Sequence, residues 1–289
     1  MLLSEKTMQR FSNLLCACLL TLCAFSNANA QKMPEDKAGW KLGAQAYSFR
    51  LFPFVEALRK IDSCGLKYVE AFPGQTIGGG IEGKMDFKMD AATRQAVRKL
   101  IDDRGLKLVA YGVISPKTED DWKALFEFAK NMGILNINSE PSPEQMPYVR
   151  RLADQYKINV ALHNHPKPSR YWHPDTVLAA IGGSRYVGAC ADIGHWVRSG
   201  LDPVECLKKL EGHVLGMHFK DVKKDTPDGK YHDVVWGTGD SRVADVIAEM
   251  KRQRFRGPIS VEYEYHWENS SPEIAQSVQN FRKMYAKGL

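Results

Sequence analysis

The 289-residue chain contains no apolar run long enough to cross a membrane. Its longest, FSNLLCACLLTLCAF near the N-terminus, is about fifteen residues, short of the ~20 that a spanning helix needs. It also lacks a basic stripe. Forty Lys and Arg against 34 Asp and Glu leave a net charge of +6, spread along the chain, so a nucleic-acid partner gains no electrostatic footing. Glycine (23) and proline (14) are too few for collagen-like or low-complexity character. Beyond residue 30 cysteine is scarce: Cys64, Cys190 and Cys206, an odd number in apolar surroundings, which implies no disulfide framework and reads as small buried hydrophobes. Stability must therefore come from one large core, which a composition 44% hydrophobic can supply.

What is present begins with an export signal. Lys6 and Arg10 precede the apolar run, and Ala28-Asn29-Ala30 follows it with the small residues that signal peptidase requires. Residues 1–30 read as a cleaved signal peptide, 31–39 as a short N-terminal segment and 40–289 as one catalytic domain. The expected location is the periplasm, with no membrane insertion after cleavage. An uncleaved anchor and a lipoprotein start at Cys23 are the alternatives, although Leu22 is large for the residue before such a cut.

No low-complexity linker divides residues 40–289. A unit recurs instead: a short apolar run, a polar loop, then a helical pattern. The runs are Leu42–Tyr47, Lys67–Ala71, Lys107–Val113, Ile134–Asn138, Asn159–Leu162, Val187–Ala191, Val214–Phe219 and Ile259–Val261. Between them, Pro53–Cys64 stops at Gly65, Asp90–Arg104 stops at Gly105, and Thr118 caps a helix with acids in its first turn and Gly133 at its end. Ser142-Pro143, His173-Pro174, Asp202-Pro203, Ser241 and Ser271-Pro272 open further helices. Near-continuous apolar strands alternating with helices predict a parallel sheet covered on both faces. Eight such units predict an α/β fold, a single (β/α)8 TIM barrel, rather than an open doubly wound sheet. No Gly-x-Gly-x-x-Gly follows the first run, and Gly78-Gly79-Gly80 reads as a flexible rim, not a phosphate cradle.

Function in such a barrel sits at the C-terminal strand ends. The expected strands deliver Gln45, Tyr47 and Phe49; Glu70; Tyr111; Asn138 and Glu140; His163 and His165; Asp192 and His195; His218 and Lys220; and Glu262 and Glu264. Carboxylates and imidazoles converging on one mouth need compensation for burial, and a divalent cation supplies it. The mixed oxygen and nitrogen donors suit Mn, Zn, Co or Fe; Mg fits them less well. Asp192, His218 and Glu262 are the firmest ligands, joined by Glu140 and His163, with His165 as an alternative to His163. His195, just beyond Asp192, suits substrate contact, as do Tyr47 and Glu70. Trp172, Trp196, Trp236, Trp267 and Tyr265 follow the later strands, where rings stack on sugars or pack the rim.

The segments ALHNHP (161–166), ADIGHW (191–196), GMHFKDV (216–222) and SVEYE (260–264) resemble the xylose-isomerase-like barrel superfamily, most closely its sugar phosphate isomerases/epimerases. LGAQAYSFR (42–50) and GTGD (237–240) fit the same pattern, and the resemblance spans about residues 40–287. It implies one divalent metal held at the strand ends and proton transfer beside a carbonyl. The chain departs from the ketose epimerases in one respect: their strand-5 glutamate, both ligand and acid/base, is matched here by His163, and Glu140 is the candidate replacement.

The leading expectation is an exported sugar isomerase or epimerase working through an enediolate. In it Glu262, Glu140, Lys220 and His165 carry the catalysis, Glu262 as base and Lys220 or His165 as oxyanion stabiliser. The first alternative is a lyase or hydrolase of 3-keto-glycosides, in which the enolate expels the neighbouring group. A DNA-repair nuclease of the same barrel would need additional His at the second and third strand ends, which hold Glu70-Ala71-Phe72 and Tyr111-Gly112. A non-catalytic sugar-binding barrel would not need the carboxylate and imidazole set. The expected partner is a small-molecule sugar or keto-glycoside; the sequence leaves a homo-oligomer open.

Overall fold

The computed structural model describes residues 33–287, so the expected signal peptide (1–30) lies outside the described residues. Eight parallel strands close into a barrel: β1 (Trp40–Gln45), β2 (Tyr68–Ala71), β3 (Lys107–Tyr111), β4 (Asn136–Ser139), β5 (Asn159–His163), β6 (Val187–Asp192), β7 (Val214–Phe219) and β8 (Gly257–Val261). Each pairs with the next in the chain, and β8 closes on β1 with Trp40 opposite Gly257. The fold is a single (β/α)8 TIM barrel, as the recurring units predict. Among the described residues no helix is long and apolar enough to cross a membrane.

The strands form where they were expected because both faces are buried, which selects near-continuous apolar sequence. Their outer faces meet aromatic helix side chains: Trp122, Phe126 and Phe128 on the helix Glu119–Met132, and Phe281 on Ser271–Lys287, are all buried. The interior is different at its C-terminal end. Glu70, Asn138, His163, Asp192, His218 and Ser260 are buried polar residues there, in place of the branched apolar layers usual in such barrels.

Helix starts are correct where the cap side chain is available. Asp90, Thr118 and Asp202 each accept a backbone N–H of the following turn. Two differ. The helix expected at Ser142-Pro143 begins at Met146, because Gln145 accepts the Ser142 N–H and donates to Pro116 O, holding a turn ahead of it. The helix expected at Ser241 begins at Val243, because Ser241 is engaged with Asp221 through its N–H and with Val222 through its hydroxyl.

The glycine triplet is also corrected: it is the turn of an antiparallel hairpin pairing Thr76–Gly78 with Ile81–Lys84. Gly78 has φ 76°, and a Cβ there would lie 2.7 Å from Pro53 Cβ, so only glycine fits. A second hairpin, Asp221–Lys223 with His232–Val234, follows β7.

Candidate metal centre and barrel mouth

Four donor atoms converge at the strand ends: Nε2 of His163 (β5), Oδ2 of Asp192 (β6), Nδ1 of His218 (β7) and Oε2 of Glu262, one residue past β8. All lie within 4.8 Å of one another. Each is buried and none has a hydrogen-bond partner. His218 Nδ1 approaches Glu262 Oε2 to 2.8 Å and His163 Nε2 approaches Asp192 Oδ2 to 3.6 Å, but neither pair is aligned as a hydrogen bond. Buried polar atoms in proteins are almost always paired, so four orphans facing one point require an explanation. The four are placed so that one divalent ion could be held by all of them. Two nitrogens and two carboxylate oxygens suit Zn, Mn, Co or Fe better than the all-oxygen preference of Mg or Ca.

The local chain builds each donor. Asp192 caps the helix Ile193–Arg198: Oδ1 accepts the His195 N–H at 2.8 Å, which leaves Oδ2 for the centre. Asn164 pins β5 to β6 by accepting the Asp192 N–H and donating to its carbonyl. His218 turns Nδ1 to the centre because Nε2 is held by Glu70 Oε1 at 2.9 Å. Glu70 also accepts from Gln45, Asn138 and the Ser260 hydroxyl. This is a carboxylate orienting a histidine ligand from behind. Glu70 is thus corrected from the substrate contact expected of it: it is 1% exposed and lies beneath the centre.

His163 repeats the device. Its Nδ1 meets Glu140 Oε1 at 3.3 Å, while Nε2 faces the centre. Glu140 does not join the four donors; it groups with His163 and His165 on the other side of the imidazole. These three form a second group of side chains able to hold an ion, sharing only His163 with the four. Burial works against its charge, but hydrogen bonds with His163 and His165 prevail and hold its pKa at about 2. His165, half exposed at the rim, is held by Glu140 and is not among the four.

Lys220 is 1% exposed and contacts three carboxylates: Glu264 Oε2 at 2.5 Å, Glu262 Oε2 at 3.0 Å and Asp192 Oδ2 at 3.2 Å. Burial opposes its charge, but Asp192, Glu262 and Glu264 raise its pKa well above that of a free lysine. It stays an ammonium, hydrogen-bonded to Glu264 and close enough to Glu262 and Asp192 to offset part of their charge. Gly194 makes this possible, since a Cβ there would lie 2.7 Å from Lys220 Cβ. Burial, reinforced by Lys220, holds His195 well below its ordinary pKa, against Asp192, so it is neutral. Arg198, which can only donate, meets His195 Nδ1 at 3.3 Å. The His195 Nε2 meets the Lys220 ammonium, which also only donates, at 3.2 Å, and lies 3.5 Å from Asp192 Oδ2.

Above the centre lies a cavity of about 360 Å³ lined by Gln45, Tyr47, Phe72, Pro73, Gly112, Val113, His165, His195, Lys220, Glu262 and Glu264. Of the four donors only Glu262 lines it. Tyr47 and His195 line it as expected. Trp196 and Trp236 do not. Each is 1% exposed in the hydrophobic core, Trp236 against Phe219 and Phe281 at 5.0 and 5.8 Å, so their expected substrate contact is corrected.

Three supporting residues carry no signal in the sequence. Asn164 is described above. Asp221 accepts four backbone N–H groups, from Gly237, Thr238, Gly239 and Ser241, and so shapes the GTGD loop. Asp233, from the second hairpin, accepts from Arg198 at 2.5 Å and from the Glu264 N–H at 2.6 Å. Burial raises its pKa to about 6 despite Lys220 and Arg198. Each acts through partners distant in sequence, which a linear reading does not contain.

The family described as xylose isomerase-like TIM barrel matches residues 58–284. No curated protein matches the sequence. Among solved structures, an uncharacterised protein from Parabacteroides distasonis ATCC 8503 shares 35% identity, covering 85% of this chain and 99% of its own, at TM-score 0.70. A sugar phosphate isomerase/epimerase from the same organism shares 14% identity over 85% of this chain and 94% of its own, TM-score 0.61. A D-allulose 3-epimerase from Methylomonas sp. shares 14% identity over 85% and 98%, TM-score 0.65. At such identities these last two show likeness of fold.

Proposed function

Since the chain belongs to the xylose isomerase-like TIM barrel family, we propose that it is a divalent-metal-dependent enzyme that moves a proton beside the carbonyl of a sugar, as an isomerase or epimerase. The observation that carries this reading is the set of four orphaned donors under a cavity into which only Glu262 of the four projects. A divalent ion at the donors supplies the charge that polarises a carbonyl and acidifies the adjoining C–H.

The chain's own groups do the rest. Burial opposes charge on Glu262, but His218 and Lys220 hold its pKa well below the ordinary carboxylate value, so it is ionised and able to take a proton. The Lys220 ammonium lines the cavity beside the neutral His195 and is the donor for the oxygen on which charge develops. His165, backed by Glu140, lines the cavity as the group that returns a proton. The export signal expected in residues 1–30 adds that the substrate is met in the periplasm.

Elimination from a keto-glycoside is the second reading, and one feature favours it. The position of the second carboxylate of ketose epimerases is His163 here, and the side chain that shares the mouth with Glu262 is His165, whose imidazole can pass a proton to a departing oxygen. One experiment tests both readings. Metal-loaded protein is incubated in D₂O with simple ketoses and keto-glycosides and followed by NMR. Deuterium uptake beside the carbonyl, lost in Glu262→Gln, is expected; epimerised and cleaved products separate the two outcomes. No exchange in any substrate would refute the proposal.

A further inference from the structure

Three large hydrophobic side chains are prominently exposed among the described residues: Leu51, Leu135 and Tyr265. Two of them, Leu51 and Tyr265, line one open groove of about 710 Å³, together with Trp267, Pro272 and the polar residues His266, Glu268, Asn269 and Glu273. The groove adjoins the mouth. Trp267 on its wall meets Tyr47 edge-on at 5.7 Å, and Tyr47 meets Phe72 inside the mouth at 5.1 Å. Arg50 marks the junction: its guanidinium lies 3.7 Å over the Trp267 ring, and it donates to the Tyr47 hydroxyl at 2.6 Å. Arg50 is exposed.

We propose that this groove is a second sugar subsite, and that the substrate is a glycoside of two rings rather than a free monosaccharide. The carbonyl ring occupies the mouth, the second ring rests on the groove, and Arg50 donates to hydroxyls at the junction. The inference rests on the enolisation reading for its first ring. The mouth, about 360 Å³, is near the lower end of small-molecule sites and suits a single ring. The groove's chemistry fits another. Aromatic side chains offer apolar surface at low entropic cost, matching the C–H faces of a pyranose, and the polar edge matches its hydroxyls. The loop is held in place for this. His266 sits at φ 44°, a strained value for a residue with a side chain, and pairs with Glu273 at 2.9 Å.

The test compares kcat/KM for a two-ring keto-sugar, 3-ketocellobiose, with that for a one-ring one, methyl 3-ketoglucoside. The two-ring substrate should be preferred by about tenfold or more, and Trp267→Ala and Arg50→Met should each cut that ratio about tenfold, as loss of an interface anchor does. A ratio near one in the unaltered protein, or one unmoved by both variants, overturns the subsite. If no keto-sugar reacts at all, the enolisation reading fails and the groove is judged by binding alone. Saturation-transfer NMR should then show cellobiose binding tighter than glucose, with the difference lost in Trp267→Ala; equal binding overturns the proposal.

Discussion

Replacing Glu70 by Gln removes one charge from the barrel interior while preserving its shape. Oε1 of Glu70 takes three donors, from Gln45 at 2.9 Å, Asn138 at 2.6 Å and His218 at 2.9 Å, and Oε2 takes the Ser260 hydroxyl at 2.7 Å. With the amide oxygen at Oε1 the three remain satisfied, and the Ser260 hydroxyl accepts from the new NH₂ as readily as it donated. What is lost is the anion behind His218. Loss of such a partner costs roughly 10–100-fold in metal affinity, or about 1.4–2.7 kcal/mol. Glu70→Ala differs in kind. It strands four buried donors at ~1–3 kcal/mol each, about 4 kcal/mol or more, a large part of a typical stability of ~5–15 kcal/mol. Zinc affinity by competition with a chromogenic chelator, with urea unfolding of the metal-free proteins, separates the two effects. Glu70→Gln should unfold near the normal midpoint and bind zinc weakly; Glu70→Ala should unfold early. Unaltered zinc affinity in a folded Glu70→Gln protein, or a normal midpoint for Glu70→Ala, would refute the reasoning.

Other expectations follow from the same geometry. His163→Ala should lose metal and activity together, whereas His165→Ala should keep its metal and lose turnover; elemental analysis with kinetics decides, and the reverse pattern overturns the assignment. Asp233, whose pKa rises from 3.8 to about 6 in the fold, binds its proton more tightly folded than unfolded. Stability should therefore fall by up to about 3 kcal/mol as pH rises through that window, and Asp233→Asn should flatten the slope in denaturant titrations. Mass spectrometry of protein recovered from the periplasm should begin at Gln31; an intact N-terminus there would remove the export reading.

The eight strands are readable in sequence because a strand buried on both faces has little freedom of composition. Helix starts are readable only when the cap has no competing partner: Asp202 caps its helix, while Ser241 is drawn to Asp221. At the mouth, strand ends mark Asp192, His218 and Glu262, but position along a strand does not reveal what lies behind a side chain. For that reason Glu70 and Glu140 look like mouth residues and turn out to orient His218 and His163. Trp196 and Trp236 mislead for a related reason: a ring following a strand packs inward or outward according to helix placement, which no local pattern records.

Asp192 serves two masters with one carboxylate, Oδ1 starting a helix and Oδ2 facing the centre. The helix start is worth roughly 0.5–2 kcal/mol, so any substitution here is judged twice, once by the fold and once by the ion. Glu is longer and His lacks a second acceptor, so neither swap is a change of ligand alone. Position 163 carries no such double duty. Attempts to retune this centre for a different metal therefore have a natural point of entry on β5 and a closed door on β6, and drift among homologues should follow the same asymmetry.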